Sequence, residues 1–291
     1  MSIKDITAVI TSFKSEKKIR RCLNSIDSQC SVINIENSNN QEHKANIERE
    51  FKNVKCILSG GNLGYGRGNN IGLKEAKTKY ALILNPDAEL LTDSINNFLK
   101  IAELSPDFSM IVPSTLDNKK NLKKYELATQ NDMFNHLINI DTKTLKTVRG
   151  HAMFLNISKF KDVGFFDENI FFFLEETDLA MRLLKNKKKI YYYAPITIYH
   201  EGGRSHQAKI NHEMELSRNW HWMWSTFYYN KKYKGFLFSL IIVGPKLFSS
   251  IFKFFIFFIL RNKEKKEIYY QRYSGLMNSI IGKRSWYRPK V

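Results

Sequence analysis

Asp87 stands at the carboxyl end of a predicted strand, where the hydrophobic run "LILNPDAEL" turns polar. One carboxylate oxygen at this place suits Mg²⁺ or Mn²⁺, whose other ligands would be water and the two phosphates of a nucleotide diphosphate. A lone carboxylate in such a turn is more often a turn or helix cap. The motif therefore leaves two interpretations open, a metal ligand and a cap.

A second group of carboxylates lies in "LEETDLAMR", which holds Glu175, Glu176 and Asp178 within one turn of a predicted helix. Acidic residues favour a helix start, and Asp178 with Arg182 has the spacing of an ordinary i,i+4 ion pair. Three phenylalanines at positions 171–173 precede the carboxylates, and an apolar surrounding raises a carboxyl pKa towards that of a general base. This turn predicts either a structural pair or a proton acceptor.

A histidine and a glycine-rich stretch complete the candidates. His200 ends a predicted strand before "EGG", where it is either a satisfied polar group or a further metal ligand. The stretch "SGGNLGYGRGNN" at residues 59–70 matches neither the dinucleotide fingerprint nor the P-loop. It opens onto a predicted helix whose amides suit an anion, although glycine clusters often serve backbone geometry alone.

Strands alternating with helices must position these side chains. The runs "ITAVITSF" (6–13), "SVINIENSNN" (31–40) and "YALILNPDAEL" (80–90) predict buried strands, and a helix follows the first. This alternation predicts an α/β fold with a mostly parallel sheet, whose ligands bind at the carboxyl ends of the strands. Residues 105–147 are polar and irregular, and a domain boundary is predicted near residue 230.

The charge is concentrated in one region. The chain of 291 residues has a net charge of +18, and residues 231–291 contain 14 Lys and Arg against 2 Asp and Glu. These charges flank the apolar run 235–260, a combination that favours an anionic membrane surface over nucleic acid. Because Pro245, Lys246 and Lys253 interrupt the run, a helix lying flat is expected and not a span, the alternative being a buried helical pair. The start of the chain has no signal-peptide pattern, so a location on the cytoplasmic face of the membrane is expected.

The motifs, taken in order, resemble the inverting glycosyltransferases of family 2 and, within them, the bacterial rhamnosyltransferase-like branch. The resemblance covers most of residues 6–206. The segments that carry it are "AVITSFKSEKKIRRCLNSI", "INIENSN", "GGNLGYGRGNNIGL", "LILNPDAEL", "RGHAMFLNISKFKDVGFFDENIFFFLEETDLAMRL" and "YYYAPITIYHEGG".

The resemblance implies a GT-A fold that binds a nucleotide sugar and a divalent metal. It assigns Glu176 as the catalytic base, and Asp87, aided by His200, as the ligands of Mg²⁺ or Mn²⁺. Asn85 takes the place of the first carboxylate of the family's D-x-D motif. Glu36 is placed at the base edge, where the family often has Asp. The full set of implied substrate-binding residues is Thr11, Ser12, Glu36, Asn62, Gly64, Arg67, Asn85 and Glu175.

The implied reaction is transfer of one sugar, a hexose or a rhamnose-like deoxyhexose, with inversion of the anomeric configuration. The acceptor would be a lipid-linked or cell-surface glycan, as in the synthesis of polysaccharide or lipopolysaccharide, and a homodimer is left open. Two other functions remain as alternatives. A sugar nucleotidyltransferase would carry a glycine- and basic-rich loop near its first strand, where this chain has "TSFKSEKK". An RNA-binding protein would use the basic region, but "KGFLF" (234–238) departs from the RNA-recognition pattern.

Overall fold

A nine-stranded sheet forms the centre of the part of the chain that carries the motifs. The computed structural model describes residues 1–116, 136–201 and 210–289. Within them the strand order is β3-β2-β1-β4-β8-β6-β9-β5, with β7 paired to β9. The strands are β1 (Ile6–Ser12), β2 (Ser31–Glu36), β3 (Val54–Leu58), β4 (Tyr80–Leu84), β5 (Ala88–Leu90), β6 (Phe108–Leu116), β7 (Leu137–Asn139), β8 (Ala152–Asn156) and β9 (Lys189–His200).

The sheet is parallel on one side and mixed on the other. Strands β1 to β4 pair in parallel, as the sequence predicts, and β6 is parallel to β9. Strand β8 runs antiparallel to β4 and β6, and β5 and β7 run antiparallel to β9. The helices that follow in the chain are α1 (Ile19–Asn24), α2 (Gln41–Glu50), α3 (Tyr65–Glu75), α4 (Ser94–Leu104) and α5 (Glu175–Lys185).

Both faces of the sheet are covered. Every residue of β4 is buried, which is typical of a parallel strand with helices on both sides. In β1, Ile6, Ala8 and Ile10 belong to one apolar cluster and Val9 to another. Because successive side chains of a strand point to opposite faces, these two clusters are the two layers of the core.

Strand β6 corrects the sequence interpretation of residues 105–147 as irregular. Eight of its nine residues are buried, although Pro113 lies inside it. Proline lacks a backbone N–H and is therefore rare in central strands. Here the register with β9 shifts between Pro113 and Ser114, so the proline sits at an irregularity of the ladder. Residues 117–135 of this segment lie outside the described residues.

Three long helices build a second compact unit: α6 (Asn211–Lys234), α7 (Phe236–Ile259) and α8 (Lys263–Ile280). The first unit comprises Met1–Phe166 and Glu176–His206, and the second Asp167–Glu175 and Gln207–Val291. The predicted boundary near residue 230 therefore falls within α6. The core of the second unit is small, with Met223, Phe227, Val243 and Leu276 at its centre.

Helix α7 is mostly exposed despite its apolar composition. Its buried residues are Ser239, Val243 and Ser250. By length and composition it is the one helix in the described ranges that is able to cross a membrane, with 24 residues and 11% of its most apolar window buried. Six residues three, four or seven apart form an apolar stripe on α7, each more than half exposed: Leu237, Ile241, Phe248, Phe252, Phe255 and Ile259.

Candidate active site at the carboxyl ends of the strands

Asp87 and His200 are brought together by the pairing of β5 with β9. Strand β4 ends at Leu84, and the chain turns through residues 85–87 into β5. The antiparallel register sets Ala88 opposite His200. As a result His200 Nε2 lies 3.3 Å from Asp87 Oδ1. The same nitrogen lies 3.3 Å from the side-chain Nδ2 of Asn85. The structure therefore places the three predicted residues Asn85, Asp87 and His200 in one group.

The Asp87 carboxylate is short of partners. Its side chain is 2% exposed, and Oδ1 makes no hydrogen bond to any described residue. A buried carboxylate oxygen without a donor is costly unless a cation or ligand completes it. Asp87 offers the carboxylate that both Mg²⁺ and Mn²⁺ prefer, and His200 adds an imidazole nitrogen that suits a transition metal, so the residues fit the implied metal and suit Mn²⁺ better than Mg²⁺. No cluster of three or more His, Cys, Asp or Glu occurs in the described part of the chain.

His151 belongs to this group but was missed in the sequence. Its ring stacks on His200 with centroids 4.5 Å apart, and its Nε2 lies 2.8 Å from Thr115 Oγ1. Burial, followed by the nearby His200 and Arg149, lowers the pKa of His151 to about 3. The ring that stacks on His200 is therefore the neutral imidazole of His151. The signal was its place one residue before β8, whose pairing with β4 brings it beside Asn85.

The glycines of the opening stretch allow α3 to approach β1 closely. A Cβ at Gly68 would lie 2.5 Å from Thr11 Cγ2, and one at Gly72 would lie 2.4 Å from Val9 Cγ1. Both separations are shorter than the contacts of real Cβ atoms, so any other residue would force the side chain of Thr11 or Val9 to shift. Thr11 Oγ1 also donates to Asn69 Oδ1 at 3.0 Å. This places the predicted residue Thr11 at the start of α3, near the edge where anions bind helix amides.

The loop before α3 is held by asparagine side chains. Asn62 Oδ1 accepts a hydrogen bond from the backbone N–H of Gly64 at 3.2 Å, and Asn37 Nδ2 donates to the Gly64 carbonyl at 3.1 Å. Gly64 has a φ of 84°, which favours glycine. Arg67 follows, half-buried, in the first turn of α3. The predicted residues Asn62 and Gly64 thus share one turn, and Arg67 lies in the helix that follows it.

Ser12 and Glu36 end neighbouring strands, and both are buried. Ser12 Oγ donates to Asn34 Oδ1 at 3.0 Å. Glu36 Oε1 accepts from the N–H of Ser38 at 3.0 Å, and Oε2 accepts from the N–H of Asn40 at 2.7 Å. The carboxylate of Glu36 therefore braces the turn after β2, and its contact with a base edge stays a prediction.

Glu176 lies near the backbone of Gly150 and the hydroxyl of Tyr65. A Cβ at Gly150 would be 3.6 Å from both Glu176 Oε2 and Tyr65 Oη, and the tyrosine donates a hydrogen bond to the Gly150 carbonyl. Burial raises the pKa of the Glu176 carboxyl, because desolvation disfavours its charged form. A raised pKa is the property that the sequence predicted for a general base.

The other carboxylates of this turn differ in their surroundings. Asp178 is fully buried and accepts from Arg182 Nε at 2.8 Å, and Arg182 also donates to the carbonyl of Val163. This pair fixes α5 to the preceding chain, as the structural interpretation of the sequence predicted. Glu175, the first residue of α5, is 2% exposed, and its predicted contact with substrate stays a prediction.

Unsatisfied polar atoms mark the same edge of the sheet. Within the described residues, Asn37 Oδ1 and Asn69 Nδ2 are buried without a hydrogen-bond partner, as is Asp87 Oδ1. Asn37 follows β2, Asn69 lies in α3, and Asp87 is in the turn after β4. Because buried polar groups are normally paired, this edge has the donors and acceptors of a polar ligand site.

Two curated relatives are similar to this chain in sequence. The low-salt glycan biosynthesis hexosyltransferase Agl10 of Haloferax volcanii is 26% identical over 193 residues, 62% of this chain and 62% of Agl10. Rhamnosyltransferase WbbL of Escherichia coli K12 is 25% identical over 218 residues, 66% of this chain and 82% of WbbL. The chain thus spans less than two thirds of the length of Agl10.

A solved structure shares the fold. The mannosyltransferase PcManGT from Pyrobaculum calidifontis, in complex with GDP-Man and Mn²⁺, superimposes with a TM-score of 0.57 and 9% identity, covering 95% of this chain and 87% of PcManGT. The likeness confirms the GT-A fold that the sequence predicted. The family model for glycosyl transferase family 2 matches residues 7–164, more than half of the sequence, so the chain belongs to that family.

Proposed function

We propose that the protein is a metal-dependent inverting glycosyltransferase. It moves one hexose or rhamnose-like deoxyhexose from a nucleotide diphosphate sugar to a lipid-linked or cell-surface glycan. The observation that carries this proposal is the buried Asp87 Oδ1, which makes no hydrogen bond to any described residue and lies 3.3 Å from His200 Nε2 at the carboxyl ends of the strands. The relatives support it, since Agl10 is a hexosyltransferase, WbbL a rhamnosyltransferase and PcManGT a mannosyltransferase with GDP-Man and Mn²⁺.

The side chains of this site divide the work of the transfer. Asp87 and His200 would hold Mg²⁺ or Mn²⁺, which when bound neutralises charge on the diphosphate leaving group. The turn of Asn62 and Gly64 with the start of α3 binds the donor. Glu176 takes the proton of the acceptor hydroxyl while that oxygen bonds to the anomeric carbon and the bond from this carbon to the diphosphate oxygen breaks. A single displacement of this kind inverts the anomeric centre.

We also propose that the protein lies on the cytoplasmic face of the membrane through α7. The apolar stripe runs along the whole helix, and Lys253 Nζ lies 5.3 Å from the ring of Tyr269 on α8. Because α8 packs along α7 and carries Lys, Glu and Arg, a spanning α7 would draw charges into hydrocarbon. An in-plane helix buries the stripe without that cost.

Basic residues at both ends of α7 support an anionic membrane surface as its partner. Each lysine or arginine near an anionic leaflet contributes up to about 1 kcal/mol of attraction. Such a surface is where a soluble sugar donor meets a lipid-linked acceptor. The residues are Lys231, Lys232 and Lys234 before the helix, and Arg261, Lys263, Lys265 and Lys266 after it.

Donor binding tests the enzymatic part of the proposal. UDP-, dTDP- and GDP-sugars are each added with Mn²⁺, and the thermal unfolding midpoint is measured. One donor class should raise the midpoint, since a ligand at 100 times its Kd stabilises by about 2.7 kcal/mol. Release of the matching nucleoside diphosphate should then be detectable.

Asp87→Asn is the decisive variant, because it keeps the volume of the side chain and removes its charge. It should lose the Mn²⁺-dependent part of donor stabilisation and keep the fold. Asp93→Asn, which removes an exposed carboxylate at the start of α4, is the matched control and should bind as the wild type does. Undiminished binding by Asp87→Asn in calorimetry would refute the metal site.

Flotation with vesicles of phosphatidylcholine and phosphatidylglycerol tests the location. The wild type should float, and Phe248→Glu with Phe252→Glu should not, because two charges would enter the lipid face. Leu104→Glu with Ile138→Glu changes two exposed apolar residues of the first unit and should float normally. If the wild type remains in the soluble fraction as an oligomer, a second copy covers the stripe and the membrane proposal is wrong.

A further inference from the structure

A strained loop leads into the candidate base. Residues 167–174, the pre-helix loop, run directly into α5, which begins Glu175-Glu176. Phe173 and Leu174 have φ values of 69° and 70°. Two consecutive left-handed residues without glycine are rare, because Cβ then crowds the backbone. Such strain persists only where surrounding contacts hold it.

Helix α6 makes the first set of these contacts. Asp167 Oδ2 accepts hydrogen bonds from Tyr228 Oη at 2.9 Å and from Lys232 Nζ at 2.7 Å. Ser225 Oγ donates to the carbonyl of Phe172 at 2.8 Å. The loop is therefore held at its start and close to its strained residues.

The ring of Phe171 is the centre of a second set. It stacks on His221 of α6 with centroids 4.5 Å apart, and the Arg288 guanidinium lies 3.7 Å from the ring centroid. A planar cation on an aromatic face combines electrostatic attraction with stacking. Arg288 belongs to residues 283–289, which we call the strap.

The strap is hydrogen bonded to the same face of α6. Trp224 Nε1 donates to the Lys283 carbonyl at 3.0 Å, and His221 Nε2 lies 2.9 Å from the Tyr287 carbonyl. A carbonyl only accepts, so Nε2 carries the proton, and Nδ1 accepts from Ser285 Oγ at 3.0 Å. Burial lowers the pKa of His221 to about 3, so the neutral ring keeps this arrangement at physiological pH.

We propose that Arg288 and His221 are positioning residues that, through Phe171, hold the pre-helix loop in the conformation that sets the place of Glu176. The inference rests on the proposed role of Glu176 as the base. It assigns the strap a part in the rate of transfer and none in donor binding. We call the contacts of His221 and Arg288 with the Phe171 ring the clamp. Without the clamp, Phe173 and Leu174 would relax to ordinary backbone conformations, and the first turn of α5 would shift with them.

The pH profile separates positioning from a general loss of structure. The base must be ionised, so the rate rises with pH through its pKa. Burial raises the pKa of Glu176, and a relaxed loop would hydrate the carboxylate and lower it. The acidic limb of kcat should therefore move to lower pH in a variant that releases the loop.

The experiment compares Arg288→Ala with Arg284→Ala, which removes the same charge from an exposed position of the strap. The assay follows nucleoside diphosphate release from UDP-, dTDP- and GDP-sugars with Mn²⁺ and water as acceptor. Arg288→Ala should lower kcat by about 10- to 100-fold, the usual effect of misplacing a catalytic group, with donor Kd unchanged. Its acidic limb should move to lower pH, and Arg284→Ala should match the wild type.

Further variants keep the outcome decisive. Phe171→Leu should reproduce the loss of kcat, and Arg288→Lys, which keeps the charge without the planar group, should restore part of it. If Arg288→Ala does not fold, Arg288→Lys and Phe171→Leu are scored in its place. Equal kcat and pH profiles in Arg288→Ala and Arg284→Ala overturn the inference even if Glu176→Gln is inactive. Absence of release by the wild type with every donor overturns the proposed function itself.

Discussion

The two units depart from the usual distribution of polar and apolar groups in opposite directions. In the first unit, Asn37, Asn69 and Asp87 bury polar atoms that no described residue satisfies. In the second unit, α7 exposes a continuous apolar stripe. Each departure is costly alone and is relieved by a partner of matching chemistry. The difference supports our proposals of a small polar ligand for the first unit and a large apolar surface for the second.

The prediction with the largest expected effect tests whether the transfer reaction takes place in the first unit. Glu176→Gln should lower the rate of transfer by about 10²-fold or more, the contribution of a general base, and leave donor affinity unchanged. Initial rates and donor calorimetry measure the two quantities. Glu175→Gln is the neighbouring control. If that variant instead loses the rate, the assignment of the base is wrong by one residue.

The second prediction tests how tightly the small core of the second unit is packed. A Cβ at Gly275 would lie 2.2 Å from the backbone carbonyl oxygen of Trp220, which cannot move aside as a side chain does. Gly275→Ala should therefore lower the free energy of unfolding by about 1–3 kcal/mol. Gln271→Ala, one turn earlier in α8, should change it by less than about 0.5 kcal/mol. Urea titration compares them, and equal stabilities would show that α6 and α8 are loosely packed.

The third prediction uses His221, a polar group of the second unit that is fully satisfied. Burial, then the charge of Arg288, hold its folded pKa at about 3 against an ordinary value of 6.5, with the Tyr287 carbonyl acting in the opposite direction. The unfolded chain therefore binds more protons between these values, and stability falls as pH drops below 6.5, by up to about 1.4 kcal/mol per pH unit. His221→Gln should flatten this slope, and His212→Gln, at an exposed position of α6, should not.

The smallest effect concerns the charges beside the stripe. Lys263→Ala should weaken binding to anionic vesicles by up to about 1 kcal/mol, and less at high salt. Lys143→Ala, an exposed lysine of the first unit, should leave vesicle binding unchanged. If Lys263→Ala lost as much vesicle binding as Phe248→Glu with Phe252→Glu, charge and not the apolar stripe would dominate membrane binding. That result would contradict the contrast drawn between the two units.

The parallel half of the sheet was predictable because its strands are near-continuous apolar runs. Strand β6 was not, since Pro113 argues against a central strand unless the register irregularity beside it is known. Asn85 and Asp87 were found because they directly follow a strand, and His200 because it ends one. His151 gains its meaning only from the antiparallel pairing of β8 with β4, which no local pattern reveals.

Helix α7 shows a similar limit. In the sequence, Pro245 and the lysines after it interrupt the apolar run. The structure nevertheless has one helix from Phe236 to Ile259. The two lysines do not interrupt the stripe, because at about 3.6 residues per turn Lys246 and Lys253 fall on the side of the helix opposite to it. The clamp on Phe171 was also beyond sequence reasoning, since it joins residues far apart in the chain.

The pairing of β5 with β9 has a consequence for the order of folding. Asn85 and His200 are 115 positions apart, and they meet only when β9 adds to the sheet. Closing so long a chain segment is slow, because its entropy is lost before the contact is gained. The group of Asn85, Asp87 and His200, which we propose as the cation site, is therefore among the last features to form, and a growing chain lacks it until β9 has been synthesised. Mn²⁺-dependent donor binding during refolding would accordingly report completion of the sheet, well after its parallel half has collapsed.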